Sequence, residues 1–174
     1  MSLLIKNTTI VNSDKISEQP QDILMERGVI IKIAPALSAN GIETLDAKGK
    51  YLLPGFIDMH CHLREPGRED KETIETGSYS AAKGGFTTIA CMPNTNPPID
   101  NTMIVEGIIR EARRVGIVNV LVIGAITKGQ KGEELVNISA LKNAGCMALS
   151  DDGRAVANSQ IMRRAMEYSK MIGI

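Results

Sequence analysis

The feature that most limits the fold is a strand–loop–helix unit that occurs four times after residue 53. Apolar runs predict strands at 55–61, 86–92, 118–124 and 146–150, and helical patterns follow them at 70–83, 101–115, 133–143 and 159–171. The third run is continuously rich in Val, Ile and Leu, which is typical of a parallel strand buried on both faces. Units of this kind in series predict an α/β fold built on a parallel sheet.

The preceding 52 residues have a different pattern, with no helical period. Apolar and β-branched runs predict strands at 3–12, 22–33, 43–47 and 51–53, with a turn inside the second run at 26–28. Polar connections that contain Pro or Gly separate these runs. We therefore expect a small β-unit over residues 1–52, followed by the strand–helix region over residues 53–174.

Composition argues against several kinds of partner and location. The chain has 20 basic and 20 acidic residues, so no net charge would attract it to nucleic acid or to an anionic membrane. No apolar run suits a signal peptide or a membrane span. The cysteines Cys61, Cys91 and Cys146 are an odd number and lie far apart in apolar runs. They indicate free buried thiols and a reducing, cytoplasmic location.

The two histidines of the chain, His60 and His62, both lie at the end of the first strand of the strand–helix region. Residues two apart in a strand project to the same side, so both imidazoles could bind one divalent ion. Cys61 lies between them and is predicted to face the opposite way. A pair of buried core histidines is the alternative. The position of the pair at a turn, beside Asp58 and Arg64, favours metal binding.

Polar side chains follow three of the four predicted strands. They are His60, His62 and Arg64 after the first strand, Asn94 and Asn96 after the second, and Asp151 and Asp152 after the fourth. Each taken singly could be a turn or cap residue, which Asn and Asp favour. In a (β/α)8 barrel, however, the catalytic groups lie on the loops that follow the strands. The arrangement therefore predicts a site at one edge of the sheet.

Three motifs resemble the signatures of dihydroorotases, a family of the amidohydrolase superfamily. They are PGFIDMHCHLREPG at 54–67, MPNTNP at 92–97 and ALSDDG at 148–153. The resemblance implies a partial (β/α)8, or TIM-type, barrel of about four β/α units over residues 53–174, preceded by a small β-sandwich segment over residues 1–52. A full barrel needs ~250 residues. We therefore expect a truncated N-terminal part of the longer bacterial type.

The resemblance also implies a set of site residues. His60, His62 and Asp152 would be ligands of zinc, with two ions in the complete family members and a partial site here. Arg64 and Asn94 would bind the carboxylate of the substrate, although Arg64 could instead form a salt bridge with a neighbouring acid. No catalytic residue is expected in this chain, because the family's acid/base aspartate and further zinc-binding histidines would lie beyond residue 174. By itself the chain is expected to be inactive.

Hydantoinases and allantoinases have a carbamylated lysine as the bridging ligand at the end of the fourth strand. No lysine lies between Cys146 and Gly153, and Asp152 occupies this region instead. An acidic residue there is the mark of the longer bacterial dihydroorotases. Asp151 should face away from Asp152 in an extended segment, so we expect it to cap or support the loop.

The activity implied by the resemblance is that of a zinc-dependent cyclic amidohydrolase of pyrimidine biosynthesis. It would interconvert dihydroorotate and N-carbamoyl-aspartate, so the expected substrate is one of these two small molecules. A homo-oligomer is expected, and the family also suggests association with aspartate transcarbamoylase. One alternative is a hydantoinase- or allantoinase-type cyclic amidase. Another is a non-catalytic, dihydroorotase-like scaffold of aspartate transcarbamoylase, against which the intact pair His60 and His62 argues.

Overall fold

The computed structural model describes residues 2–38 and 40–174. The described residues form two compact units, divided between Pro54 and Gly55. Within the described part of the chain, no helix has the length and hydrophobicity needed to cross a membrane.

The first unit is a five-stranded sheet. Its strands are β1 (Ser2–Ile10), β2 (Gln21–Glu26), β3 (Val29–Ala34), β4 (Glu43–Asp46) and β5 (Tyr51–Leu52). Four strands lie in the order β3-β2-β1-β4, and β5 pairs with a later part of β1. The β2–β3 hairpin turns at Arg27 and Gly28, which both have positive φ, as a two-residue hairpin of the right twist requires. Ile5, Ile23 and Ala47 form the buried core.

The second unit alternates strands and helices. Its elements are β6 (Phe56–Cys61), α1 (Ile74–Lys83), β7 (Phe86–Cys91), α2 (Thr102–Val115), β8 (Asn119–Gly124), α3 (Ile138–Ala144), β9 (Cys146–Leu149) and α4 (Ser159–Ile172). The strands form a parallel sheet in the order β6-β7-β8-β9. The prediction of an α/β fold with a parallel sheet is confirmed. Because the strands are parallel, the loops that follow them meet at one edge of the sheet.

A continuous core holds the helices of the second unit against its sheet. The completely or almost completely buried side chains include Ile74 of α1, Val105 and Ile108 of α2, Val122 of β8 and Leu141 of α3. Local caps define the helix ends. The Asn101 side chain accepts a hydrogen bond from the third residue of α2, and Gly145 takes the left-handed conformation after α3 with φ 112°. The Asn101 cap thus ends the loop that follows β7 and carries Asn94 and Asn96.

One predicted helix was wrong at its start. The sequence pattern predicted a helix at 133–143, whereas α3 begins at Ile138. The backbone of residues 134–136 instead pairs with residues 126–128, through hydrogen bonds that include Val136 N–H to the Ile126 carbonyl. Asn137 then caps α3 by accepting from the Ala140 N–H. The first helix also begins later than residue 70, because Thr73 and Thr76 form a capping box that sets its start.

Candidate metal centre

His60, His62 and Asp152 meet in space although they come from the two edge strands of the parallel sheet. His60 and His62 lie at the end of β6, and Asp152 follows β9. The Nε2 atom of His60 lies 3.1 Å from Asp152 Oδ1, and the Nε2 atom of His62 lies 4.0 Å from the same oxygen. One potential ligand atom from each side chain lies within 4.8 Å of the other two. The structure therefore brings together all three predicted metal ligands.

Asn94, in the loop after β7, connects two members of this cluster. Its Oδ1 atom lies 2.9 Å from His62 Nδ1, and its Nδ2 atom donates to Asp152 Oδ2 at 2.6 Å. The loop itself is tied to the loop after β6, because the backbone N–H of Asn96 donates to the Pro66 carbonyl at 3.0 Å. Gly67 makes this approach possible, since a Cβ there would lie 1.9 Å from the Asn96 carbonyl oxygen.

The two consecutive aspartates face different surroundings. Asp151 is 3% exposed, and its carboxylate accepts hydrogen bonds from the Ile126 N–H at 2.8 Å, the Thr127 N–H at 3.1 Å and the Thr127 hydroxyl. It thus supports the loop after β8, as the prediction of a capping role requires. Asp152 has a φ of 50°, and its N–H donates to the Ser150 side chain. This left-handed conformation is uncommon outside glycine and directs Asp152 into the cluster.

Comparison with known proteins identifies the family. The family model described as dihydro-orotase-like matches residues 49–172. The chain belongs to this family. It is 52% identical over 171 residues to the dihydroorotase of Thermoanaerobacter sp. (strain X514). This alignment covers 98% of this chain and 39% of that protein. The dihydroorotase of Aquifex aeolicus (strain VF5) is 48% identical over 174 residues, 100% of this chain and 41% of that relative. The chain therefore spans about two fifths of the length of these relatives.

Solved structures resemble the chain in fold. L-hydantoinase from Arthrobacter aurescens aligns with a TM-score of 0.85 and 25% identity, over 98% of this chain and 39% of that one. A dihydroorotase crystal structure aligns with a TM-score of 0.65 and 13% identity, over 99% of this chain and 49% of that one. The second likeness concerns the fold alone. Both neighbours extend well beyond the region that this chain matches.

Arg64 follows His62 by two residues in this dihydroorotase-like chain and has a φ of 61°. Its anticipated alternative partners are engaged elsewhere: Asp70 pairs with Arg68 at 3.1 Å, Glu65 accepts from the first N–H of α1, and Glu69 accepts from a backbone N–H of its own loop. Among the described residues, no ion pair involves Arg64. The guanidinium is thus available for an anionic ligand.

Cys61 faces away from the two histidines, as the strand alternation predicted. Its thiol donates to the Ala90 carbonyl at 3.4 Å, and its side chain packs against the hydrophobic core. Burial raises the pKa of this thiol to about 12. A thiol must lose its proton to bind a metal, so Cys61 is a poor ligand at neutral pH. All three cysteines are free thiols.

The donor set of the cluster fits a divalent zinc-type ion. Two imidazoles and one carboxylate are the ligands typical of catalytic zinc, which keeps a coordination position for water. The His60 side chain is 59% exposed, the His62 side chain 29% and the Asp152 side chain 11%, so solvent reaches the cluster. The bridging contacts of Asn94 and the support from Ser150 were not predicted from the sequence. A serine two residues before an aspartate in a turn is the only local signal for the second contact.

Proposed function

We propose that this chain supplies the N-terminal part of a zinc-dependent dihydroorotase, a cyclic amidohydrolase that interconverts dihydroorotate and N-carbamoyl-aspartate. The convergence of His60, His62 and Asp152 on one point carries the proposal. Family membership and the 48–52% identity to named dihydroorotases support it. The zinc assignment rests on the chemistry of the donor set.

The proposed architecture is the first half of a (β/α)8 barrel over residues 53–174, with a small β-sandwich segment over residues 1–52. Neighbouring strands lie about 4.8 Å apart, so a flat sheet would separate β6 from β9 by roughly 14 Å. The 3.1 Å contact between His60 and Asp152 across these edge strands supports a curved sheet whose loops point to a common axis. The likeness to L-hydantoinase supports the same arrangement.

In the proposed reaction, His60, His62 and Asp152 would hold zinc. Bound zinc lowers the pKa of water to ~7 and polarises a carbonyl group. Arg64 would bind the substrate carboxylate, because its planar fork makes two parallel hydrogen bonds that lysine cannot reproduce. Asn94 would add a contact to the same carboxylate, since its amide nitrogen has a second hydrogen that is not used for Asp152. We assign no acid/base residue to this chain.

A hydantoinase-type cyclic amidase is the second candidate. The TM-score of 0.85 to L-hydantoinase favours it. The absence of lysine between Cys146 and Gly153 and the identity to named dihydroorotases favour the first proposal. The first proposal includes a homo-oligomer and an association with aspartate transcarbamoylase. A non-catalytic, dihydroorotase-like scaffold of aspartate transcarbamoylase is a third candidate. These alternatives make different predictions for substrate turnover.

A fusion protein tests the proposed activity. The chain would be joined to the part of the Thermoanaerobacter dihydroorotase that lies beyond the matched residues, and assayed with zinc against dihydroorotate, hydantoin and allantoin. We expect turnover of dihydroorotate, its loss in His60→Ala and His62→Ala, and its retention in the control Cys61→Ala. Turnover confined to hydantoin or allantoin would support the second candidate. A folded, zinc-loaded fusion without turnover would support the scaffold.

A further inference from the structure

The orientation of the Asn94 amide follows from its partner Asp152. An ionised carboxylate can only accept hydrogen bonds. The Asn94 atom that lies 2.6 Å from Asp152 Oδ2 must therefore be the amide nitrogen. The amide oxygen is then the atom that faces His62 Nδ1 at 2.9 Å. The carboxylate thus determines the direction of the whole amide group.

The amide in turn determines the tautomer of His62. An amide oxygen only accepts, so the hydrogen between Asn94 and His62 must reside on the imidazole Nδ1. The other ring nitrogen, Nε2, is then left with its lone pair in the neutral imidazole. This is the nitrogen that lies 4.0 Å from Asp152 Oδ1 within the cluster. The hydrogen bonds therefore leave on the cluster side the nitrogen that can bind a metal.

The two oxygens of the Asp152 carboxylate have different partners. Its Oδ2 atom accepts from Asn94, whereas its Oδ1 atom faces the Nε2 atoms of both His60 and His62. Metal-binding histidines commonly donate their second ring N–H to a partner that sets the tautomer and orientation of the ring. Here one amide sets the tautomer of a histidine and the rotation of a carboxylate together.

We propose that Asn94 is a positioning residue of the metal centre, which fixes the Nδ1–H tautomer of His62 and the orientation of Asp152. The relevance to catalysis rests on the proposed function, but the contacts themselves do not. The role is additional to a contact with substrate, because only one amide hydrogen is used for Asp152. No such amide contacts the His60 ring among the described side chains, so His60 provides an internal reference.

The tautomer can be measured directly in the metal-free chain. Only two histidines are present, so a long-range ¹H–¹⁵N correlation spectrum of the imidazoles at mildly alkaline pH has two ring systems to assign. We expect His62 to be protonated at Nδ1 in the parent chain and to become a mixture of tautomers in Asn94→Ala. Asn94→Asp should keep the Nδ1–H tautomer, because a carboxylate still accepts that hydrogen. The matched control is Asn96→Ala, which removes an amide from the same loop. Among the described residues, the Asn96 side chain makes no hydrogen bond.

Zinc affinity provides the second readout. Loss of a partner that orients a metal ligand typically weakens metal binding by about 10–100-fold. Calorimetric titration with Zn²⁺ alone should show a loss of this size in Asn94→Ala and also in Asn94→Asp, whose charge would repel Asp152, and no loss in Asn96→Ala. Three results would each overturn the proposal. They are an Nε2–H tautomer of His62 in the parent, an unchanged tautomer in Asn94→Ala, and an unchanged zinc affinity of Asn94→Ala. An inactive fusion enzyme with these results intact would reject the proposed function alone.

Discussion

At the scale of single residues, adjacent side chains of one type have separate tasks. Asp151 is buried and binds two backbone N–H groups and a hydroxyl of the loop after β8. Asp152 faces His60 and His62 with a carboxylate that accepts from Asn94. Local backbone geometry separates the two, because Asp152 takes the left-handed conformation. The pair therefore allows a test in which stability and metal binding change independently.

Replacement by alanine should lower a different property at each aspartate: stability at Asp151 and zinc binding at Asp152. Asp151→Ala leaves buried donors unpaired and should lower the free energy of unfolding by about 3 kcal/mol. Asp152→Ala should change that free energy little and should abolish measurable zinc binding. Urea titration and zinc calorimetry on both variants provide the measurements. A stable Asp151→Ala or a zinc-binding Asp152→Ala would contradict the assignment.

Arg64 should affect substrate affinity rather than metal binding. In the fusion enzyme, Arg64→Ala removes a charge-assisted contact worth roughly 1.5–3 kcal/mol, which corresponds to about a 10–150-fold rise in KM. Arg64→Lys keeps the charge but not the planar fork, so its KM should lie between those of the parent and Arg64→Ala. Zinc content should stay at the parental level in both. Loss of zinc with an unchanged KM would show that Arg64 serves the metal centre instead.

At the scale of elements, local patterns predicted most of the second unit. The apolar runs correctly located β6, β7, β8 and β9, and the predicted helix at 159–171 corresponds to α4. The start of α3 was missed because Leu135 lies in a segment that bridges to Thr127, a contact that no periodicity reveals. Tertiary pairing here outweighs the helical pattern.

The candidate site was predictable only in part. The spacing of His60 and His62 follows from strand alternation, and the loop positions of Asn94 and Asp152 follow from the ends of parallel strands. The bond between Asn94 and Asp152 joins residues 58 positions apart. Such a bond depends on how the loops approach each other, which a local pattern does not encode. The sequence analysis also did not predict the left-handed conformations of Arg64 and Asp152.

The first unit should lose stability in acid through Asp22. Burial acts to raise the pKa of this carboxyl, but hydrogen bonds from the backbone N–H groups of Leu37 and Asn7 outweigh it and hold the pKa below its ordinary value of 3.8. A lowered folded-state pKa stabilises the fold above the unfolded-state pKa, and this stabilisation is lost as the pH falls through the folded-state value. Asp22→Asn should therefore destabilise the chain at neutral pH.

The destabilisation by Asp22→Asn should shrink as the pH falls below about 4, because protonation then weakens the parent as well. Urea midpoints of the parent and the variant over an acid-to-neutral series give this difference. The exposed Asp14→Asn serves as the control and should show little effect at any pH. An effect of Asp22→Asn that is independent of pH would contradict the linkage.

At the scale of the whole molecule, the parallel sheet has two outer strands. Among the described residues, β6 pairs only with β7 and β9 only with β8. Apolar side chains on these outer strands are exposed, including Ile57 at 62%, Met59 at 76% and Met147 at 60%. Unpaired backbone groups beside apolar side chains favour association with another chain. The relatives, of which this chain spans about two fifths, have further sequence that could cover such edges.

The chain by itself should therefore self-associate. It should also show no turnover of dihydroorotate, because we assign no acid/base residue to it. Light scattering should give a mass that rises with concentration, and Met147→Lys on β9 should reduce the rise by adding charge to the edge. Met103→Lys serves as the control, because Met103 is also exposed, at 80% against 60% for Met147, but lies on α2 rather than on an outer strand. A monomer at high concentration that hydrolyses dihydroorotate would contradict both expectations.

The most direct test of the metal centre is a crystal structure of the chain soaked in zinc, with diffraction measured at the zinc absorption edge. We predict an anomalous peak about 2.0–2.2 Å from the Nε2 atoms of His60 and His62 and from a carboxylate oxygen of Asp152. Cys61→Ala crystals should retain this peak, and His62→Ala crystals should lose it. Zinc bound elsewhere, or no peak at this cluster under saturating zinc, would contradict the assignment of these three residues as the metal site.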